Sequence, residues 1–286
     1  MSQSSFTGKS KALAIVPKLT GFLSLVGSLF VIHDILRRSS ENGSSTTIWA
    51  FRTRKRDSMF YRIMLGVSIF DSIASITNIL STWPTPSDQG DVVYGALGTT
   101  TTCTVQGFFN EFGNITTPLY SASLCVWYLL FLKYGWREKE CEGIEYIFHI
   151  IPIGIGFSMA LAGLPFNLYN NSGFLCWYAP YPAGCDTVEP HTCTRGEYAG
   201  VFRWIHYGIV WTAIVFVTYL MASIYSAVRL QEEISTERKF ATTNPAIKKS
   251  RAIATQAMLY VCALYLTWAF TTVRYMYICT QRHVYV

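Results

Sequence analysis

The chain is 286 residues long, 51% hydrophobic and only 14% charged, with a formal net charge of +6. Soluble chains carry about 25% charged residues, so a disordered chain, a coiled coil, a disulfide miniprotein and most cytosolic enzymes are excluded. The 15% of aromatic residues suits helix packing and interfacial belts in a bilayer, and the expected fold class is an all-α, multi-pass membrane protein.

Six stretches reach the roughly 20 apolar residues that a membrane-crossing helix needs, which predicts one helical bundle over residues 1–286. The first, about 12–36, contains Pro17 and Lys18 and ends near His33 and Asp34. It leads into an Arg-rich segment with no small-residue cleavage pattern, so it reads as a span and not a signal peptide. The second, about 59–83, carries Asp71 roughly 18 Å from its cytoplasmic start. Ser68, Asp71 or Ser72, Ser75 and Asn78 recur there at helical steps. The third, about 103–134, repeats Gln106, Asn110 and Asn114 every fourth residue, with Glu111 beside the stripe and Pro118 expected to kink the helix.

Glu111 lies roughly 12 Å below the outer end of its helix, level with Asp71 in a core of about 30 Å. Adjacent antiparallel helices then place the two carboxylates to face each other or to share a cation. Ionisable residues at this depth are candidates for function, whereas the Ser and Thr residues read as interhelical hydrogen bonds.

The fourth stretch, about 145–166, holds Pro152 and Pro165, with His149 expected at the cytoplasmic interface. The fifth, about 201–228, offers His206 as a pocket wall beside Arg203. The sixth, about 252–279, has a stripe of Gln256, Tyr260, Tyr265, Trp268, Thr271 and Tyr275. That stripe reads mainly as packing, with Trp268 as the pocket candidate, while Arg274 snorkels.

Most of the 23 Lys and Arg residues collect in the loops after helices 1, 3 and 5. They include Arg56, Lys133, Arg137, Arg229, Lys248, Lys249 and Arg251, whereas the opposite loops, 84–102 and 167–200, hold only Arg195. The positive-inside rule therefore expects the N-terminus outside. The net charge follows from topology and attraction to anionic lipid headgroups, and nucleic acid is not expected as a partner.

Cys103, Cys176, Cys185 and Cys193 fall on the expected outer side, where two disulfides can form in three connectivities. The short gap between Cys185 and Cys193 favours a local loop. Cys103 would then tether the outer loop 167–200 through Cys176. No Cys-x-x-Cys or paired His accompanies them, so no metal centre is expected. Asn170-Asn171-Ser172 is a glycosylation sequon on the same loop. No phosphate-binding glycine loop, zinc-protease motif or nucleophile elbow occurs, so neither enzymatic activity nor a cofactor is expected.

A polar-striped helix 2 with a mid-membrane Asp leads to Trp83-Pro84, and helix 3 opens as Thr102-Cys103-Thr104-Val105-Gln106-Gly107-Phe108-Phe109. Cys176-Trp177 follows in the next outer loop. From about Val16 to Ile278 the chain resembles G-protein-coupled receptors of the cyclic-AMP-receptor-like and secretin-like branch, of protist or algal type. The resemblance implies a Cys103–Cys176 bond, a seven-helix bundle and signalling to heterotrimeric G proteins through the basic loops. Helix 3 ends at Tyr128-Leu129-Leu130-Phe131-Leu132-Lys133-Tyr134 without Asp-Arg-Tyr, which disfavours the rhodopsin-like branch. The chain stops at Val286, one span short, and reads as a receptor truncated before helix 7.

The expectation is thus a plasma-membrane receptor whose unidentified extracellular ligand meets Asp71, Ser75, Asn78, Gln106, Asn110, Glu111, Asn114, His206 and Trp268. The alternative is an ion- or proton-coupled transporter or channel using Asp71 and Glu111.

Overall fold

The computed structural model describes residues 8–41, 59–90, 93–136, 140, 143–183, 185 and 193–237, together with 262, 265, 266, 268, 269, 272 and 273. Among these residues the chain is mostly helical, and five helices are long and apolar enough to cross a membrane. They are α1 (Gly8–Glu41), α2 (Met59–Leu80), α3 (Thr100–Leu132), α4 (Glu145–Ala162) and α5 (Ala199–Glu237). Backbone polar groups satisfied within each helix and apolar side chains outside make this the architecture of a multi-pass integral membrane protein. Of the sixth expected span, the described residues between Cys262 and Val273 are helical; the rest lies outside the described residues.

The helix ends differ from the apolar runs for local reasons. α2 stops at Leu80 and not at residue 83, because Ser81 turns the backbone with φ 48°. The end is capped from α1: Lys18 Nζ donates to the carbonyls of Ile79 (3.3 Å) and Leu80 (3.0 Å), which the helix leaves unpaired. α4 stops at Ala162 and not at residue 166, since Pro165 lacks an N–H and disfavours helix at Leu164. α5 runs past its apolar stretch to Glu237 because Arg, Leu, Gln and Glu are good helix formers. Thr99 starts α3 with a capping box, accepting from the Thr102 N–H at 3.3 Å while the Thr102 hydroxyl accepts from the Thr99 N–H at 2.8 Å.

α3 is the central post: it packs against α2, α4 and α5, while α1 packs on α2. Gly113 lets α3 close on α2, since a Cβ there would lie 2.9 Å from the Ala74 backbone nitrogen. Small residues permit such contact where lipid supplies no hydrophobic drive between helices. At the end of the bundle away from Cys103, Met59, Ile63, Phe70, Tyr120, Trp127, Phe148, Met221 and Ile224 form the main apolar core.

The segment 167–200, expected as an outer loop, is instead anchored by an antiparallel hairpin. Strand β1 (Tyr169–Asn171) pairs with β2 (Cys176–Tyr178), with Asn170 opposite Trp177. Asn171 and Gly173 make the turn, the Asn171 side-chain oxygen accepting from the Gly173 N–H at 2.8 Å and Gly173 supplying φ 102°. The hairpin is tucked into the mouth of the bundle, where Tyr169, Cys176 and Tyr178 are at most 1% exposed.

Candidate functional site

Two disulfides form, Cys103–Cys176 and Cys185–Cys193. The first binds β2 to the start of α3, and hydrogen bonds fix the rest of the hairpin. The Tyr169 hydroxyl donates to Ala160 O (2.6 Å) and the Tyr178 hydroxyl to Met159 O (2.8 Å), both near the end of α4. Burial, and after it the neighbouring Glu111 carboxyl group, raises both phenols above their ordinary pKa, so they stay protonated as donors.

Gln106 is the second anchor. Its amide nitrogen donates to Thr77 O (2.9 Å) and Ser81 O (2.8 Å), and its oxygen accepts from the Cys176 N–H (3.0 Å). One buried side chain therefore joins α2, α3 and the hairpin. Ser81 adds to the joint, its hydroxyl 2.9 Å from the carbonyls of Ala14 and Phe174.

Below this lid lies Glu111, which is completely buried. Its two oxygens have different partners. Trp177 Nε1 of β2 donates to Oε2 at 2.6 Å, and His206 Nδ1 of α5 lies 2.9 Å from Oε1. The rings are packed as well: Trp177 meets His206 edge-on at 4.9 Å between centroids, and Trp268 lies 5.8 Å from His206. A carboxyl group without water is tolerated only when such donors satisfy it.

The placement follows from helical geometry. Gly107, Glu111 and Ile115 are four residues apart and share one face of α3. A Cβ at Gly107 would come within 2.4 Å of the Tyr169 ring, so that face receives the hairpin. Ile115 packs with Val210, Ile214 and Trp268, so the same face also meets α5. On α5, His206, Val210, Ile214 and Val217 form the matching buried stripe.

The expected polar pocket divides among three seams. Asp71 faces α1, accepting from the hydroxyls of Ser24 (2.9 Å) and Ser28. Asn78 and Ser75 border the same seam, where Gly21 of α1 approaches Asn78 Cβ and the Ser75 carbonyl. Asn110 and Asn114 belong to the α2–α3 seam: Asn110 Oδ1 accepts from Thr77 Oγ1 (3.1 Å) and Asn114 Nδ2 (2.9 Å). Glu111, His206 and Trp268 come together under the hairpin, and Gln106 anchors its edge to α2 and α3. Asp71 and Glu111 therefore do not pair or share a cation, because each carboxylate is satisfied by a different set of helices. Among the described residues no group of His, Cys, Asp or Glu is arranged to hold a metal ion.

One further expectation is corrected. Asn170 is 6% exposed, and its Nδ2 donates to Asn167 O (3.0 Å) and Ala179 O (2.8 Å). A glycan on that nitrogen would break both bonds and displace the hairpin. His149 Nδ1 is 3.0 Å from the Tyr120 hydroxyl, at the α3–α4 contact. Beside it Glu145 is gripped by Arg62 through Nε and through Nη2 at 2.8 Å, which joins α2 to the start of α4.

Lys133 and Arg229 are exposed at the end of the bundle away from the hairpin. Arg56, Arg137, Lys248, Lys249 and Arg251 lie outside the described residues.

Trp177 and the two hairpin tyrosines belong to the candidate site, and helix periodicity does not single them out. A signal exists in Leu168-Tyr169 and Cys176-Trp177-Tyr178 flanking the turn-forming Asn171-Ser172-Gly173. Neither a protein-family model nor a curated protein matches the chain.

Proposed function

We propose that the protein is a cell-surface receptor of the G-protein-coupled type, with the hairpin end outside the cell and the basic loops inside. A ligand arriving at the hairpin would move Trp177, and α5 would carry that displacement towards a heterotrimeric G protein. The observation that carries this reading is the double grip of Glu111, which ties the outer hairpin to α5 through one buried carboxyl group. In this reading the link is either gripped, as here, or released, and a ligand that favours one arrangement shifts the population.

A transporter built on Asp71 and Glu111 would need the two groups on one path, and they occupy separate seams. With the receptor reading go no enzymatic activity, membrane lipid as surroundings, and an extracellular ligand of unidentified chemistry.

The test is guanine-nucleotide exchange by heterotrimeric G proteins in membranes carrying the full chain. Glu111→Gln, which replaces one of the two carboxyl oxygens by an NH2 group, is expected to raise basal exchange several-fold above the unsubstituted chain. Exchange at background for both, with both chains folded, would overturn the proposal. Proton or ion flux into vesicles that vanishes on Asp71→Asn would favour the transporter instead.

A further inference from the structure

A groove of about 630 Å³ runs down the outside of the α2–α3 pair at the hairpin end of the bundle. Ile73, Ile76 and Leu80 of α2 form one wall and Val105 and Phe109 of α3 the other, with Trp83 closing the top. Ile76, Leu80, Val105 and Phe109 are all exposed, so the groove opens where the surrounding hydrocarbon must lie. Its volume is within the roughly 300–1,000 Å³ of ordinary ligand sites.

Charge marks the top of this groove. The Lys18 ammonium sits 3.6 Å from the centre of the Trp83 ring and is tied to the carbonyl of Leu80, another lining residue. Two of its three N–H bonds go to the end of α2, at Ile79 and Leu80. Among the described residues no carboxylate lies within ion-pair distance of it. A full positive charge at the rim of an apolar cleft, beside a Trp of the kind that anchors at the headgroup level, complements a molecule with a phosphate above and an alkyl tail below.

We propose that this groove is a binding site for a glycerophospholipid, with one acyl chain between α2 and α3 and the phosphate on Lys18. Binding would brace the turn from Leu80 to Pro84, which Ser81 and Gln106 in turn connect to the hairpin. The site is thus a place where lipid composition tunes the lid over Glu111, and its existence does not depend on what the receptor senses.

The experiment is native mass spectrometry of the detergent-solubilised full chain, titrated with dioleoyl-phosphatidylglycerol. Dioleoylglycerol, which lacks the phosphate, and glycerol 3-phosphate, which lacks the tails, are the controls. One saturable phosphatidylglycerol is expected, with each control at least tenfold weaker. Val105→Trp fills the groove from an exposed position, and Lys18→Gln keeps an N–H donor for the α2 carbonyls without the charge. Each is expected to weaken phosphatidylglycerol binding at least tenfold. Unchanged binding to the Val105→Trp chain, or dioleoylglycerol binding as tightly as phosphatidylglycerol, would overturn the proposal. Val105→Trp leaves Lys18 untouched, so it reads the site even where Lys18→Gln weakens the fold.

Discussion

Replacing Trp177 by Phe removes one N–H from Glu111 and keeps an aromatic ring against His206. The lost bond is 2.6 Å long and its acceptor is completely buried, so water cannot replace it. Hydrogen bonds to charged groups contribute about 1.5–3 kcal/mol, and that is the expected destabilisation. At roughly 2–4 °C per kcal/mol for a chain of this size class, the unfolding midpoint should fall by about 3–12 °C. Circular dichroism of the purified chain in detergent measures it. The decisive comparison is the same substitution in a Glu111→Gln background. There the acceptor is already impaired, so Trp177→Phe should cost less by about 1 kcal/mol or more. Equal costs in the two backgrounds would show that the indole N–H contributes nothing through Glu111, and the link between hairpin and α5 would fail with it.

Gly107→Ala should cost about 1–3 kcal/mol by overpacking, since its Cβ would lie 2.4 Å from the Tyr169 ring. It should also speed reduction of the Cys103–Cys176 bond, whereas Gly154→Ala, with nothing within 4 Å, should change the midpoint little. Asn170 should remain free of glycan when the chain is made in a glycosylating cell; a mobility shift on glycosidase treatment that disappears in Asn170→Gln would contradict its buried hydrogen bonds. Burial, and after it Glu111, raises the phenols of Tyr169 and Tyr178 above the ordinary tyrosine pKa. The unfolded chain therefore releases these protons first, and their contribution to stability is complete below about pH 10 and lost as pH rises above it. Unfolding midpoints followed upward from about pH 9 check this, and a midpoint that stays flat to about pH 11 would refute it.

Hydropathy and helical period were enough to find the five described spans, because a bilayer demands about 20 apolar residues per crossing whatever the packing. Chain breaks such as Ser81 and Pro165 then trimmed the ends by a few residues, through local backbone geometry that hydropathy does not register. The sequence also determined which side chains are polar at membrane depth, since Asp71, Gln106, Asn110 and Glu111 stand out against their apolar neighbours.

It could not determine their partners. Asn110 and Glu111 are consecutive, yet about 100° of helical rotation sends one to α2 and the other to the hairpin and α5. Asp71, expected level with Glu111, faces the serines of α1, and the α2–α3 register sets Thr77 beside Asn110 and Ala74 beside Gly113. Depth is a property of one helix and can be counted along the chain, whereas direction depends on which neighbours a helix packs against. The fold of 169–178 into a buried hairpin, and with it the grip of Trp177 and His206 on one carboxyl group, was decided only when α3, α4 and α5 came together around it.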